Sequence, residues 1–221
     1  SDLTLQKAAH KFDVQTVMGN QGHNFEGMRL IKDWYDAGLI GNVREVHAWT
    51  NRSTRNNHNA KHPLPAEPIP ATLDWDLWSG PVPSGDYHSS ICPEGWRWWW
   101  PYGLGGLGDI GCHTLDIPKY VMGLNYPKSV RVDNTINFRE EYDGKITGIG
   151  SGTYVYEFED VTVYWYEGGN MPRFSDDLKA HGINNEGGCL LVGDKNTLYS
   201  PGMRPTSPRL EKDWETIRRG N

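Results

Sequence analysis

Apolar side chains along this chain recur with helical spacing in some segments and with strand-like spacing in others. Residues 3–12 and 24–37 carry them at intervals of three and four, which predicts two helices. Gly38 follows the second segment, where a glycine commonly ends a helix. Residues 14–18 are short and β-branched, and residues 43–51 alternate imperfectly, so both predict strands. The chain is therefore expected to open with a helix, a strand, a helix and a strand.

The second half of the chain is richer in strand patterns. Residues 103–123 return to helical spacing, after which strands are predicted at residues 129–138, 152–158 and 161–166. A further short hairpin is predicted around residues 189–199. Most of the predicted helices lie in the first half of the chain and most of the predicted strands in the second half. This order predicts an α+β fold, with a mostly antiparallel open sheet and helices on one face.

Periodicity is lost from residue 52 to residue 102. This segment holds eight of the 14 prolines and a dense set of Trp, His and Tyr. An aperiodic segment of that length inside a domain is uncommon and is usually functional. We therefore expect it to contribute to a binding site.

The amino-acid composition excludes several classes of protein. The 221 residues are 37% hydrophobic and 23% charged, which is typical of a soluble globular domain. A net charge of −6 argues against nucleic acid as a partner, and no apolar run is long enough to span a bilayer. The chain opens without a signal peptide, but an exported protein would have lost one, so a soluble protein of either the cytoplasm or the periplasm is expected. Ten Trp and 11 Tyr against five Phe indicate a lined cleft or an interface.

The sequence predicts neither a disulfide framework nor a metal site. Cys92, Cys112 and Cys189 are odd in number and lack a CxxC motif, so free buried thiols are expected. His58 and His62 have a spacing that suits metal chelation on a helix, but the neighbouring Asn residues and proline indicate a loop instead.

The segment 103–108 matches the dinucleotide fingerprint G-x-G-x-x-G, and Asp133 follows at a suitable distance. The fingerprint requires a buried strand directly before it. Here the preceding residues are rich in Trp and end in Pro101, which would break a strand ladder. The context therefore favours a loop that enters a helix over a phosphate-binding turn.

The helix that follows carries Asp109, His113 and Asp116 at spacings that place them on one face. A carboxylate one turn from an imidazole can fix its tautomer and raise its basicity, as general acid/base catalysis requires. An N-terminal Asp favoured by the helix dipole, together with a core or surface His, explains the same pattern.

Four motifs occur together in this chain. They are Met18-Gly19-Asn20-Gln21-Gly22-His23, Gly41-Asn42-Val43-Arg44-Glu45-Val46-His47, Asp74-Trp75-Asp76-Leu77-Trp78-Ser79-Gly80-Pro81 and Gly108-Asp109-Ile110-Gly111-Cys112-His113-Thr114-Leu115-Asp116. In combination they resemble the Gfo/Idh/MocA oxidoreductase family, and in particular its bacterial branch. The family is named for glucose–fructose oxidoreductase and inositol dehydrogenase. The resemblance extends over about residues 3–196 and implies an NAD- or NADP-dependent oxidoreductase acting on a sugar, polyol or glycoside.

Members of this family join an N-terminal Rossmann domain to a C-terminal α/β domain. The resemblance implies that residues 1–23 are a remnant of the link from a missing Rossmann domain. Residues 24–221 would form the substrate-binding and oligomerisation domain. The NAD or NADP cofactor would be bound mostly by the Rossmann domain, which would also carry the family's Glu-Lys-Pro motif. The family's D-x-x-x-H motif implies His113 as the catalytic acid/base, with Asp109 beside it as its positioning partner.

Several other side chains are candidates for holding a carbohydrate substrate: Gln21, His23, Arg52, Trp96, Arg97, Trp98 and Asp116. Indole faces suit the C–H faces of a pyranose, with Arg97 as a polar clamp, although a core or dimer-contact role for most of these tryptophans fits equally well. Gln21 and His23 either line the cleft or serve turn chemistry, as does their neighbour Asn20. Arg52 is an exposed strand-end arginine unless it contacts sugar. Glu167, at a strand end that runs into a turn, either reaches the site or is a solvated turn acid, and the second interpretation is favoured.

Two other functions remain open at this stage. One keeps the fold and the site but uses transient oxidation to cleave glycosides. The other is a non-enzymatic binding or oligomerisation module. For all of them, the sheet face without helices is expected to be open and to form a homodimer or homotetramer, as in many members of the family.

Overall fold

The computed structural model of this chain describes residues 2–52, 64–83, 85–99, 101–136, 141–142, 145–146, 151–168, 170–172, 179–180, 182–183 and 186–211. The helices are α1 (Asp2–Phe12), α2 (Glu26–Asp36), α3 (Trp75–Ser79), α4 (Cys112–Thr114) and α5 (Asp116–Met122), with 3-10 turns at Gln21–Asn24 and Gly95–Trp98 and a π-helical turn at Leu107–Gly111. The strands are β1 (Val43–Thr50), β2 (Ser129–Ile136), β3 (Glu141–Tyr142), β4 (Lys145–Ile146), β5 (Ser151–Glu157), β6 (Thr162–Glu167), β7 (Gly187–Gly193), β8 (Thr197–Pro201) and β9 (Arg209–Leu210).

Seven strands form one mixed sheet in the order β2-β5-β6-β1-β7-β8-β9, and β3 and β4 form a separate small hairpin. Only the pairing of β1 with β6 is parallel within the large sheet. The tight turns after β5 and β7 produce antiparallel hairpins, as the sequence predicts. The α+β class with a mostly antiparallel open sheet is confirmed.

The main core lies between one face of this sheet and the helices. Met28 and Ile31 of α2 and Ile117 and Val121 of α5 are buried in one cluster with side chains of the strands, among them the fully buried Trp165 of β6. Burying such side chains stabilises the fold by about 1.5–3 kcal/mol each. This packing fixes the position of the helical segment that runs from the π turn through α4 to α5.

The opposite face of the sheet differs from the expectation of a bare surface. Trp49, Leu190 and Tyr199 on this face are buried and pack with Ile183 and with Met171, which lie outside the strands. The chain therefore covers this part of the face itself. Exposed apolar side chains occur instead on edge strand β2, where Val130 and Val132 are 55% and 57% exposed.

Two local predictions also differ from the structure. Residues 14–18 form no strand, and Val17 and Met18 are 94% and 80% exposed. A β-branched composition alone does not make a strand without a neighbour to pair with. The described part of the aperiodic segment holds α3 and a 3-10 turn, and it builds a second core around Trp75, Tyr87 and Trp99.

Within the described residues, no helix combines the length and apolar character that crossing a bilayer requires.

Candidate active site

A cavity of about 590 Å3 lies where three segments meet. They are the stretch before α2, the 3-10 turn at Gly95–Trp98 and the entry to the helical segment. The residues lining it are Met18, Gly19, Asn20, Gln21, Trp96, Arg97, Tyr102, Gly103, Leu104, Gly105, Gly108, Asp109, Cys112 and His113. Gln21, Trp96, Arg97, Asp109 and His113 were predicted from the sequence as site residues, and the fold brings all five to this cavity.

Glycines allow these segments to approach each other. A Cβ at Gly103 would lie 2.6 Å from the carbonyl oxygen of Arg97, so the two backbones pass too closely for any larger residue. Gly105 has a φ of +66°, a conformation that side chains disfavour. The Gly-rich run therefore turns the chain sharply from the Trp-rich turn into the helix.

The same run lacks the context of a dinucleotide-binding turn. A 3-10 turn at Gly95–Trp98 precedes it where a Rossmann unit has a buried strand, and helical backbone follows from Gly105. It is a helix-entry loop, as its sequence context indicates.

His113 is held through one ring nitrogen. Its Nδ1 lies 2.6 Å from Oδ1 of Asn20, whose Nδ2 donates to the carbonyl oxygen of Cys112 at 3.0 Å. Nε2 of His113 makes no hydrogen bond to any residue in the described part of the chain. A histidine with one nitrogen fixed and the other available beside a cavity has the arrangement of a general acid/base.

Asp109 has a different partner from the one expected. Its Oδ1 accepts a hydrogen bond from Nε of Arg97 at 2.8 Å, and its Oδ2 lies 3.9 Å from the guanidinium of Arg52. No hydrogen bond or ion pair joins it to His113 among the described residues. A permanently charged guanidinium is a stronger partner for a carboxylate than an imidazole, and Asp109 lies in a π-helical rather than an α-helical turn.

Arg97 also stacks on Trp96, with its guanidinium carbon 4.7 Å from the centre of the indole ring. This cation–π contact occupies part of the indole surface. Trp96, Arg97 and Asp109 therefore form one continuous polar and aromatic wall of the cavity.

Four of the predicted substrate-binding residues lie outside the described lining. Trp98 is 4% exposed and contributes to the interior. His23 and Asp116 pair with each other at 2.8 Å, and His23 packs edge-on against Tyr120. Arg52 borders a neighbouring depression and is linked to this site by its ion pair with Asp109.

Glu167 is fully buried, which corrects its interpretation as a solvated turn acid. Its carboxylate accepts hydrogen bonds from Nε1 of Trp165 at 3.0 Å, from the hydroxyl of Tyr154 at 3.3 Å and from the backbone N–H of Leu107. Burial raises the pKa of Glu167 to about 7, although these three donors act in the opposite direction. Glu167 thus joins the end of β6 to the start of the π turn.

Sequence reasoning also missed the exposure of one thiol. Cys92 and Cys189 are buried as expected, whereas Cys112 is exposed and lines the cavity. Desolvation, with a further contribution from Asp109, raises the pKa of its thiol, so the sulfur stays protonated and is a poor nucleophile.

In the part of the chain that the structure describes, no group of three or more His, Cys, Asp or Glu residues is arranged to hold a metal ion. His58 and His62 lie outside the described residues.

Residues 27–170, more than half of the chain, match the sequence profile of the Gfo/Idh/MocA oxidoreductase family, C-terminal α/β domain. The chain belongs to this family. The family resemblance drawn from its four motifs is thereby confirmed. No curated protein sequence matches this chain.

Solved structures with a similar fold are oxidoreductases. The WlbA dehydrogenase from Bordetella pertussis, in complex with NADH and UDP-GlcNAcA, is 15% identical and has a TM-score of 0.56; the match covers 94% of this chain and 50% of that one. An NAD binding oxidoreductase from Klebsiella pneumoniae is 16% identical, with a TM-score of 0.55 and coverages of 94% and 46%. An inositol dehydrogenase homolog from Azotobacter vinelandii, complexed with NADH and myo-inositol, is 13% identical, with a TM-score of 0.53 and coverages of 94% and 45%. This family member thus spans about half the length of these proteins.

Proposed function

We propose that this domain is the substrate-binding and catalytic half of an NAD- or NADP-dependent oxidoreductase that acts on a sugar, polyol or glycoside. The observation that carries the proposal is the single-sided support of His113 at the wall of the cavity. Membership of the oxidoreductase family and the sugar ligands of the WlbA and inositol dehydrogenase structures support the same substrate class.

His113 is the acid/base in this proposal. In the direction of oxidation, its Nε2 accepts the proton of a substrate hydroxyl while the adjacent C–H bond breaks and a carbonyl forms. In the reverse direction the imidazolium returns that proton to the forming alkoxide. Nδ1 stays bound to Asn20 throughout, so the ring does not need to rotate during the reaction.

The wall formed by Trp96, Arg97 and Asp109 holds the carbohydrate. Ligand cavities in proteins are typically about 300–1,000 Å3, and a cavity of about 590 Å3 accommodates a sugar ring. The uncovered surface of Trp96 offers an apolar contact to C–H groups, while Arg97 offers donors to hydroxyl or carboxylate oxygens. Gln21, on the opposite segment, supplies an amide that can both donate and accept.

The residues present here fit only one end of a nicotinamide cofactor. Among the described residues, a 3-10 turn and not a strand lies just before the Gly-rich run, so the run lacks the strand–turn–helix cradle for a pyrophosphate. The exposed side chains of Met18 and Leu104 form an apolar rim that suits the flat nicotinamide ring. When bound, the cofactor supplies the acceptor for the hydride, and a second domain would hold the rest of it.

The decisive experiment is the His113→Ala variant in the intact enzyme, assayed with NAD and NADP on a panel of sugars and glycosides. Acid/base groups contribute about 10²–10⁴-fold in rate, so kcat should fall by that order while the fold is retained. His10→Ala, at an exposed position of α1, serves as the control. A kcat that stays near normal in His113→Ala would contradict the assignment. Product analysis with a glycoside separates simple oxidation from redox-assisted cleavage.

We further propose that the chain assembles into a homodimer or homotetramer. Because its own residues cover part of the sheet face, the exposed Val130 and Val132 on edge strand β2 are the better candidates for a contact. Val132→Lys should lower the sedimentation coefficient, whereas Val17→Lys, at a more exposed position on the N-terminal segment, should not. A wild-type chain that sediments as a monomer at tens of micromolar would contradict this proposal.

A further inference from the structure

The side chain of Asn20 links two parts of the chain that are far apart in sequence. It lies just before the 3-10 turn at Gln21–Asn24 and is only 9% exposed. Its amide contacts both Cys112 and His113, more than 90 residues away. An amide buried between two fixed partners is held in one orientation.

The chemistry of these partners determines that orientation. The carbonyl oxygen of Cys112 can only accept a hydrogen bond, so the NH2 group of Asn20 must face it. The amide oxygen of Asn20 is then the atom that lies 2.6 Å from Nδ1 of His113. An amide oxygen can only accept, which means that Nδ1 must carry a hydrogen. Turning the amide around would place two oxygens against each other.

We propose that Asn20 is a positioning residue that fixes the tautomer of His113. Neutral imidazole carries one N–H, so a hydrogen on Nδ1 leaves Nε2 unprotonated and able to accept a proton. That is the tautomer that a general base acting through Nε2 requires. The use of Nε2 in catalysis rests on the proposed function, but the tautomer itself follows from the contacts of Asn20.

A neutral amide differs from a carboxylate in this role. Asp109, the expected partner of His113, is bound to Arg97 instead. A carboxylate does contact a histidine at another position, where Asp116 lies 2.8 Å from Nδ1 of His23. Asn20 orients the ring as a carboxylate would but adds no charge that stabilises the imidazolium. Asn20 therefore orients the ring through a hydrogen bond alone, with no added charge at Nδ1.

The tautomer can be measured on the 221-residue chain by long-range 1H–15N correlation spectra, recorded about two pH units above the ordinary histidine pKa of about 6.5. The signals of His113 are identified by their absence from a His113→Ala sample. The wild-type ring should show the Nδ1–H form. A wild-type spectrum dominated by the Nε2–H form would overturn the proposal, and this result depends on no variant.

Two variants test the role of Asn20, with Asn24→Ala in the same turn as the matched control. Asn20→Ala should give a mixture of both tautomers. Asn20→Asp, which keeps the shape of the side chain, should move the midpoint of the ring's 15N titration at least about one pH unit higher. Asn24→Ala should leave both measurements as in the wild type. An Asn20→Asp titration that coincides with the wild type would contradict a direct contact.

In the intact enzyme, Asn20→Ala should lower kcat by about tenfold or more while KM changes much less, because only part of the population holds the productive tautomer. The spectra and the kinetics separate the two proposals. If the wild-type ring is in the Nδ1–H form but His113→Ala turns over normally, the tautomer assignment stands and the proposed function is contradicted. If the ring is in the Nε2–H form and His113→Ala has a reduced kcat, the proposed function stands and the tautomer assignment is contradicted.

Discussion

Asp109 lies four residues before His113, yet its carboxylate accepts a hydrogen bond from Nε of Arg97 at 2.8 Å. Asp109 therefore holds Arg97, which we propose binds the substrate, and not the imidazole. In the intact enzyme, Asp109→Asn should raise KM by about tenfold, which corresponds to about 1.4 kcal/mol for a partly exposed charge-assisted hydrogen bond. The pH–rate profile should not move.

A matched control for this variant is Asp133→Asn. Asp133 also pairs with an arginine, Arg131, but on the exposed surface of β2 and away from the cavity. It should leave KM unchanged. A displaced basic limb of the pH–rate profile in Asp109→Asn would instead show that Asp109 acts on the proton-transfer group.

The buried carboxyl of Glu167 should make stability depend on pH. Its pKa rises from 4.5 to about 7 on folding, so between these values the native state binds more protons than the unfolded state. This contribution to the free energy of unfolding is largest below about pH 4.5 and decreases by about 3 kcal/mol as the pH rises through 7.

Glu167→Gln removes this dependence, and comparison with the wild type cancels other titrating groups. Urea unfolding at several pH values should show the advantage of wild type over variant shrinking as the pH rises. Glu159→Gln, an exposed control whose carboxylate pairs with Lys128, should show no comparable trend. A constant difference for Glu167→Gln would mean that the carboxyl ionises normally.

The close approach of Gly106 to Glu167 leaves no room for a methyl group. A Cβ at this position would lie 2.8 Å from Oε2 of Glu167 and 3.3 Å from Cγ2 of Thr50. Although alanine is the better helix former, Gly106→Ala should lower the free energy of unfolding by about 1–3 kcal/mol. The control is Gly85→Ala, where nothing lies within 4 Å. Equal stabilities for the two variants would contradict this packing.

The chain alone should not bind NAD(H) appreciably, because its Gly-rich run follows a 3-10 turn and precedes a helix without a strand–turn–helix phosphate site. Calorimetric titration of NADH into the 221-residue chain should give only heats of dilution. Micromolar binding that Gly105→Val abolishes would show that the run does hold a dinucleotide.

Much of the architecture could be predicted locally. Helix α2, strands β1, β2, β5 and β6, and the β7–β8 hairpin lie within a few residues of their predicted positions, because side-chain periodicity and turn residues are local properties. The Gly-rich context likewise distinguished a helix-entry loop from a nucleotide site. Residues 14–18, which were predicted as a strand and form none, show the limit of such local patterns. A strand needs a neighbouring strand to pair with, and the local sequence does not reveal whether one lies beside it.

Sequence by itself determined the α+β class, the family and five of the residues that line the cavity, because these depend on patterns and motifs within short segments. Only the tertiary structure determined which side chains contact each other. In it, Asp109 binds Arg97 and His113 binds Asn20. Glu167 is buried against the π turn, and Trp98 lies in the interior. The physical reason is that hydrogen bonding and burial depend on groups brought together from distant positions, where a stronger donor or a closer neighbour displaces the partner that spacing along the chain suggests.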